Sequence, residues 1–350
     1  MKSGDRYGEH RVIYPPGALP QAAQQLDNQT PPLDNEIGIS VQALHITSTS
    51  FYRLWKEAGG EFASLAIRIQ EIVASRGKFQ DPVTGSGGVL MGVADFVGPA
   101  LDVALKPGDP IVSMVSLALT PLRLEQVIEV HPASGQVKVQ GYAILFESGL
   151  WAILPSDLPA PLAMMALDVA GAPAYAARYV RSGQRILVIG GGKAGMLCLH
   201  EIKKHAGPAG QVILVEKDAG RCQAALELGL ADEAVSLDAT HALDVFSHVR
   251  KITKDKLADI SFNCASHPGT EMAAILSTRD EGEIIFFSMA TEFSRAALGA
   301  EGVGKAVRMI IGNGYLPGHA EIALQIMREN EPLRDYLSRS LPSDGGPVAF

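Results

Sequence analysis

The sequence predicts an α/β chain of two domains: a β-rich domain over 1–155, then a doubly wound parallel-sheet domain over 156–350. Three observations carry the prediction. The 350 residues are 47% apolar and 19% charged, enough for a large core, and at about 100 to 200 residues per domain they divide into two. Short β-rich segments separated by turn signals fill the first part. Beyond residue 155 strands alternate with helices, the pattern of a parallel sheet covered on both faces.

Taken in order, EIGISVQAL (36–44), EQVIEVHP (125–132) and QVKVQGYAILF (136–146) are the strand segments of the first domain, and KPGDP (106–110) and PASGQ (132–136) are turns. This reads as an all-β-like domain. LPSDLPAP (154–161) is the linker, since its three prolines break helix and strand alike. The second domain then runs RILVIG, a helix through GMLCLHEIKKH, QVILVEK, a helix through AGRCQAALELG, DISFNCAS, a helix through GTEMAAILST, EIIFFSMA, and a last strand and helix within 307–337.

Charge and composition narrow the function classes. The net charge is −8 and no lysine–arginine block interrupts the chain, which argues against binding a phosphate backbone. Nucleic acid is not an expected partner. MKSGDRYGEHR at the N-terminus has no apolar signal core, and no uncharged apolar run reaches the about 18 residues of a membrane span. Three cysteines, Cys198, Cys222 and Cys264, are odd in number and widely spaced, as in a reducing compartment. The expected location is the cytoplasm, with no membrane partner, and the expected assembly is a homo-oligomer, a dimer.

ILVIGGGKAG (186–195) carries the chemistry. Gly190, Gly192 and Gly195 satisfy G-x-G-x-x-G, a weak motif alone, and a ligand-free strand-to-helix turn would satisfy it too. Context raises it: the first glycine follows a buried-strand pattern, the third opens an apolar helix, and Glu216 lies 21 residues beyond Gly195 at the end of VILVE. Gly190 permits the turn, Gly192 admits the pyrophosphate, and Gly195 lets the helix pack close, so that a diphosphate sits on the positive helix end at Lys193 and Ala194. Glu216 would accept hydrogen bonds from the adenosine ribose and repel a 2′-phosphate. NAD is therefore favoured over NADP, although Lys217 and Arg221 stand close enough in sequence to turn toward such a phosphate. Lys193 either touches a phosphate or extends into solvent. In an open α/β sheet the cofactor lies at the carboxyl ends of the strands, which places Ala265 and Ser266, and on the nicotinamide side Ser288 and Met289, along it. Cys264 reads as a small apolar residue beneath the cofactor, and Trp55 and Trp151 as core or interface aromatics.

A β-rich domain ahead of such a Rossmann domain resembles the medium-chain dehydrogenase/reductase superfamily, whose N-terminal domain is GroES-like. NEIGISVQALHITSTSFY (35–52), GSGGVLMGVADFVG (85–98) and KPGD (106–109) resemble its core segments. At the positions of the superfamily's zinc ligands stand Thr47, Gly88 and Val89, and Val169, and no four-cysteine lobe is present. These positions offer no zinc ligand, so no metal is expected. GDRYGEHRVIYPPGALPQAAQQLDN (4–28), DPVTGSGGVLMG (81–92) and FNCASHPGTE (262–271) are similar to the zinc-free L-erythro-3,5-diaminohexanoate dehydrogenase family. That resemblance implies NAD-dependent oxidative deamination of a diamino acid at C3, a reaction of lysine fermentation, giving 5-amino-3-oxohexanoate, ammonium and NADH.

Such a site must bind an amine, remove a proton from it, and guide water. Thr47, Ser48, Thr49 and Ser50, at the former zinc position, either orient the amine and the water or stabilise the turn after the strand; Thr49 falls where zinc relatives place a proton-relay hydroxyl. A hydroxyl is too weak a base at neutral pH, so an acid or histidine is needed. Glu125, Glu147, Asp95, His45 and His267 are the choices, with Glu125 preferred as the ammonium-binding acid. Two rival readings share the fold: a zinc-free quinone or enoyl reductase using NADPH, and a redox-silent dinucleotide-binding protein.

Overall fold

The computed structural model describes residues 3–312 and 315–342. The chain forms two compact units, Met1–Asp168 with Ser338–Phe350, and Val169–Leu337.

In the first unit a small antiparallel pair, β1 (Val12–Tyr14) and β2 (Gln25–Leu26), precedes β3 (Glu36–Ile46). Two helices follow, α1 (Ser48–Glu57) and α2 (Phe62–Arg76), then β4 (Gly88–Val97), β5 (Pro110–Ser113), β6 (Leu122–His131), β7 (Gln136–Phe146), β8 (Trp151–Ile153) and α3 (Ala160–Asp168). The large sheet is antiparallel with order β6-β7-β3-β4-β5-β8. Central β3 is buried along most of its length rather than on alternate residues: Ile37, Ile39, Val41, Leu44 and Ile46 join the apolar core, while Glu36 is buried in a pair with Arg11 and His45 lies beside Gln136. The two helices correct the all-β-like reading. In α2, Leu65, Ile69, Ile72 and Val73 recur at helical spacing and are buried, so the segment packs one apolar stripe on the sheet core. It stops at Gly77, where φ is +66° and an added Cβ would meet Leu26 O at 2.0 Å. Phe51 and Trp55 of α1 stack at 6.2 Å between centroids, and both Trp55 and Trp151 pack against that core. Because α3 packs against β3 and β4, this unit runs to Asp168, past the expected boundary at 155.

The second unit holds α4 (Gly171–Tyr179), β9 (Arg185–Ile189), α5 (Lys193–Ala206), β10 (Gln211–Glu216), α6 (Ala219–Glu227), β11 (Glu233–Ser236), α7 (Ala242–Ile252), β12 (Ala258–Asn263), α8 (Glu271–Ser277), β13 (Thr278–Phe286), α9 (Phe293–Gly302), β14 (Arg308–Ile311), α10 (His319–Glu329) and α11 (Glu331–Ser338). Its six strands are parallel in the order β11-β10-β9-β12-β13-β14. The order reverses between β9 and β12, the switch point at which such sheets bind ligands. Ile186 to Ile189 and Val212 to Val215 are fully buried, as strands covered on both faces must be. The short edge strand β11 was not among the strands read from the sequence.

Candidate active site

The carboxyl ends of β9, β10 and β12 frame a pocket of about 260 Å³ in the second unit. Gly190 turns the chain out of β9 with φ +94°, and an added Cβ there would lie 2.7 Å from Ala265 N. Gly195 packs still closer: its Cβ would stand 1.9 Å from Gly190 O. At Gly192 nothing lies within 4 Å of that position. Two glycines thus serve the packing of loop on strand, and the third leaves open the space a diphosphate needs. Gly192 is also the N-cap of α5 and accepts from Met196 N at 2.9 Å, so the positive end of a fourteen-residue helix lies beside that space.

Glu216 ends β10 and is 9% exposed. Its Oε2 accepts from Gly191 N at 2.6 Å and its Oε1 from Asp218 N at 2.9 Å. Each carboxylate oxygen keeps a second acceptor site, so the side chain can still receive ribose hydroxyls. Of the two nearby cations, Lys217 Nζ donates to Asp238 Oδ2 at 2.7 Å, and Arg221 lies 3.8 Å from Glu216 Oε2. The hydrogen bond from Lys217, followed by those from Thr240, holds Asp238 well below the usual carboxylate range.

The pocket brings together Gly190, Gly192, Glu216, Lys217, Ala265 and Ser266 from the sequence-predicted set. Lys193, Ala194 and Gly195 form the first turn of α5, while Ser288 and Met289 follow β13, outside the pocket lining. Leu237, Asp238, Ala239 and Thr240 also line it. The sequence reading missed them because they follow β11, whose four residues gave no strand signal. Cys264 lines the pocket at 8% exposure, and Cys198 is fully buried; burial, then the Cys264 neighbour, pushes the Cys198 thiol well up. His267 is exposed and its Nδ1 lies 2.8 Å from Pro268 O, a carbonyl that can only accept.

In the first unit the hydroxyl run after β3 divides. Ser48 and Thr49 are exposed and Thr47 half-buried, with Thr47 Oγ1 2.9 Å from Ser86 Oγ. Ser50 is fully buried and bonded to Thr84 Oγ1 at 2.6 Å, which ties the first turn of α1 to the loop before β4. Glu125 is also relocated. It sits in a β6 bulge beside Leu124, which pairs with Gly141, which in turn pairs with Val41. It is therefore level with the middle of β3, away from Thr47, half exposed, and 3.9 Å from Arg123. Glu147 accepts from Asn35 Nδ2 at 3.2 Å near the surface, and Asp95 is exposed on β4.

His45 is 1% exposed near the end of β3, with Nε2 3.8 Å from Asp168 Oδ2 and Nδ1 3.3 Å from Gln136 Nε2. Asp168, which the sequence reading did not select, ends α3 with its side chain 15% exposed. Its only sequence signal was its place beside the former third zinc-ligand position.

The zinc positions do not fit the metal. Thr47, Gly88, Val89 and Val169 supply no ligand of the kind zinc takes, and at Gly88 φ is +114° and a Cβ would meet His45 O at 2.0 Å. Elsewhere among the described residues, ligand atoms of His200, Glu201 and Glu329 lie within 4.8 Å of one another. Lys204 already serves that group as its cation, 2.9 Å from Glu329 and 3.6 Å from Glu201. No single helix among the described residues is long and apolar enough to cross a membrane.

Comparison with known proteins places these features among relatives. Residues 10–155 match the model of the L-erythro-3,5-diaminohexanoate dehydrogenase N-terminal domain, and residues 195–303 that of the zinc-binding dehydrogenases. The latter span excludes Thr47, Gly88, Val89 and Val169. The L-erythro-3,5-diaminohexanoate dehydrogenase of Acetoanaerobium sticklandii is 48% identical over 335 residues, 95% of this chain and 97% of that protein. That of Fusobacterium nucleatum is 47% identical over 344 residues, 97% and 99% of the two chains. A mycobacterial quinone oxidoreductase structure superposes with a TM-score of 0.55 at 17% identity, covering 92% of this chain and 94% of the other, a likeness of fold alone.

Proposed function

This chain belongs to the L-erythro-3,5-diaminohexanoate dehydrogenase family, and from that premise we infer that it oxidatively deaminates L-erythro-3,5-diaminohexanoate at C3 to 5-amino-3-oxohexanoate and ammonium, with NAD as cofactor. The observation that carries the cofactor assignment is Glu216, buried at the end of β10 and tied to the glycine loop through Gly191 N. When bound, NAD supplies the nicotinamide carbon that accepts the hydride from C3.

The chain's own residues do the rest. Glu216 receives the adenosine ribose hydroxyls and sets a negative charge against a 2′-phosphate. The first-turn N–H groups of α5, at Lys193, Ala194 and Gly195, bind the diphosphate. Ala265, Ser266, Ser288 and Met289 are proposed to border the nicotinamide half. Thr47, Ser48 and Thr49 are proposed to orient the amine and a water, and Thr47 already shares a hydrogen bond with Ser86. The C3 amine must lose a proton before hydride can leave, because an ammonium has no lone pair to form the C=N bond. The substrate is a small molecule. A dimeric assembly and a cytoplasmic location complete the proposal, the latter supported by three free, buried cysteines.

The quinone-reductase reading has a fold likeness behind it; the carboxylate of Glu216, in the ribose-binding role proposed for it, disfavours the 2′-phosphate of NADPH. Supplying NAD with the diamino acid, and NADPH with a quinone, separates the two: formation of NADH in the first mixture supports the deaminase, and consumption of NADPH in the second supports the rival.

A further inference from the structure

We propose that Asp238 is a specificity-determining residue for the cofactor: by holding the Lys217 ammonium it cancels a positive charge beside the ribose-binding carboxylate, and so denies the pocket to a 2′-phosphate. The proposal deepens the assignment of NAD to this pocket and rests on it.

The parallel register of β10 and β11 sets the pair up. Glu216 lies opposite Ser236, and the ladder runs one step further, Leu237 N donating to Glu216 O at 3.1 Å. Ser236 Oγ donates to Lys217 O at 2.9 Å, which fixes the backbone of Lys217 against the end of β11. Asp238 is the residue after Leu237. Its Oδ2 accepts from Lys217 Nζ at 2.7 Å, and its Oδ1 from Thr240 N at 3.0 Å and Thr240 Oγ1 at 2.7 Å. The loop after β11 therefore anchors one carboxylate oxygen while the other holds the lysine. Glu216, Lys217, Asp238 and Thr240 all line the same pocket. The Lys217 side chain is 77% exposed and that of Asp238 31%, and an ion pair so open to water adds little to folding. Its consequence lies with the ligand.

Net charge decides which ligand is accepted. The lining includes two carboxylates, Glu216 and Asp238, and two cations, Lys217 and Arg221. Ribose hydroxyls need an acceptor and no net charge, and Glu216 supplies that acceptor. A phosphate monoester carries about −1.5 to −2 charges at neutral pH, so it meets Glu216 as a like charge and needs a cation with charge to spare. Lys217, which directly follows Glu216, is placed for that task. An ammonium has three donors, and one bond to Asp238 does not exhaust them; what Asp238 removes is the net charge. A phosphate drawn to Nζ is also repelled by the carboxylate 2.7 Å from that atom. Asparagine at 238 keeps an oxygen for Thr240 and leaves the Lys217 charge uncancelled.

The test is calorimetric titration of the full-length protein with NAD and with NADP at one ionic strength, a measurement that requires no turnover. Asp238→Asn should bind NADP about 5- to 20-fold more tightly than wild type, the scale of one hydrogen bond to a charged group, while NAD affinity stays within about twofold. Asp238→Glu, which restores the charge, should return most of the discrimination. Asp238→Asn combined with Lys217→Met replaces a neutral pair by two neutral side chains, so its NADP affinity should fall back to within about threefold of wild type. An NADP-to-NAD affinity ratio in Asp238→Asn within about twofold of wild type would overturn the proposal. So would a gain for NADP that survives in the double variant, because Lys217 would then not be the cation that Asp238 controls. Wild-type protein that binds NADP more tightly than NAD, or binds neither, would overturn the NAD assignment itself and the proposal with it.

Discussion

Glu216 Oε2 and Gly191 N stand 2.6 Å apart in a hydrogen bond that ties the end of β10 to the loop leaving β9. One carboxylate therefore shapes the glycine loop and is also the group proposed to receive the ribose. Glu216→Ser removes both effects, and the loss of a charge-assisted hydrogen bond is about 1.5 to 3 kcal/mol. The ratio of kcat/KM for NAD over NADP should fall by about 10- to 100-fold, chiefly through NAD. A ratio that stays constant would show that Glu216 does not meet the ribose.

Gly192 and Gly195 should respond differently to alanine. At 195 the new methyl would lie 1.9 Å from Gly190 O, so the loop must move and the unliganded protein should melt at a lower temperature. At 192 the methyl meets no protein atom within 4 Å; Gly192→Ala should melt like wild type without cofactor yet bind NAD more weakly. Thermal melts with and without NAD decide the matter, and wild-type NAD affinity in Gly192→Ala would place the diphosphate elsewhere.

Lys78 offers a pH test of the first unit. Its ammonium is fully buried and donates to Pro20 O at 2.7 Å and Gln21 O at 3.4 Å. Burial, then the nearby Arg76, pulls its pKa down from 10.5 to about 8. Between those values the folded chain has released a proton that the unfolded chain keeps, so this group adds stability as pH rises through that window, by at most about 1.4 kcal/mol per pH unit. In urea titrations at neutral pH and near the top of the window, Lys78→Met should gain less stability on going alkaline than wild type. Parallel changes in the two proteins would contradict the burial of this ammonium.

The deaminating rate should itself climb above neutral pH, because only the neutral C3 amine releases hydride and alkylammonium groups titrate near about 10.4. Initial rates at fixed substrate would show this, and a flat profile from neutral pH to about pH 10 would contradict the deprotonation requirement.

What the sequence disclosed was what local pattern carries. The glycine loop, Glu216 and the apolar strands β9, β10, β12 and β13 were readable because each is written in contiguous residues whose neighbours demand one conformation. The helical spacing of Leu65, Ile69, Ile72 and Val73 was equally local and was masked by the β-rich segments around it. The short strand β11, and with it Asp238 and Thr240, gave too few residues to show a period. Glu125 could not be placed from sequence because a bulge in β6 sets its register. The pairing of His45 with Asp168 depends on α3 docking against β3 and β4, a long-range packing event with no local signature.

The central claim is the reaction, and the most direct measurement is the joint yield of NADH and ammonium when the purified protein is given NAD and L-erythro-3,5-diaminohexanoate. The account predicts equal molar amounts of both, rising together, with little product when NADP replaces NAD. Ammonium without NADH, or neither product while NADPH is consumed with a quinone or an activated double bond, would contradict it.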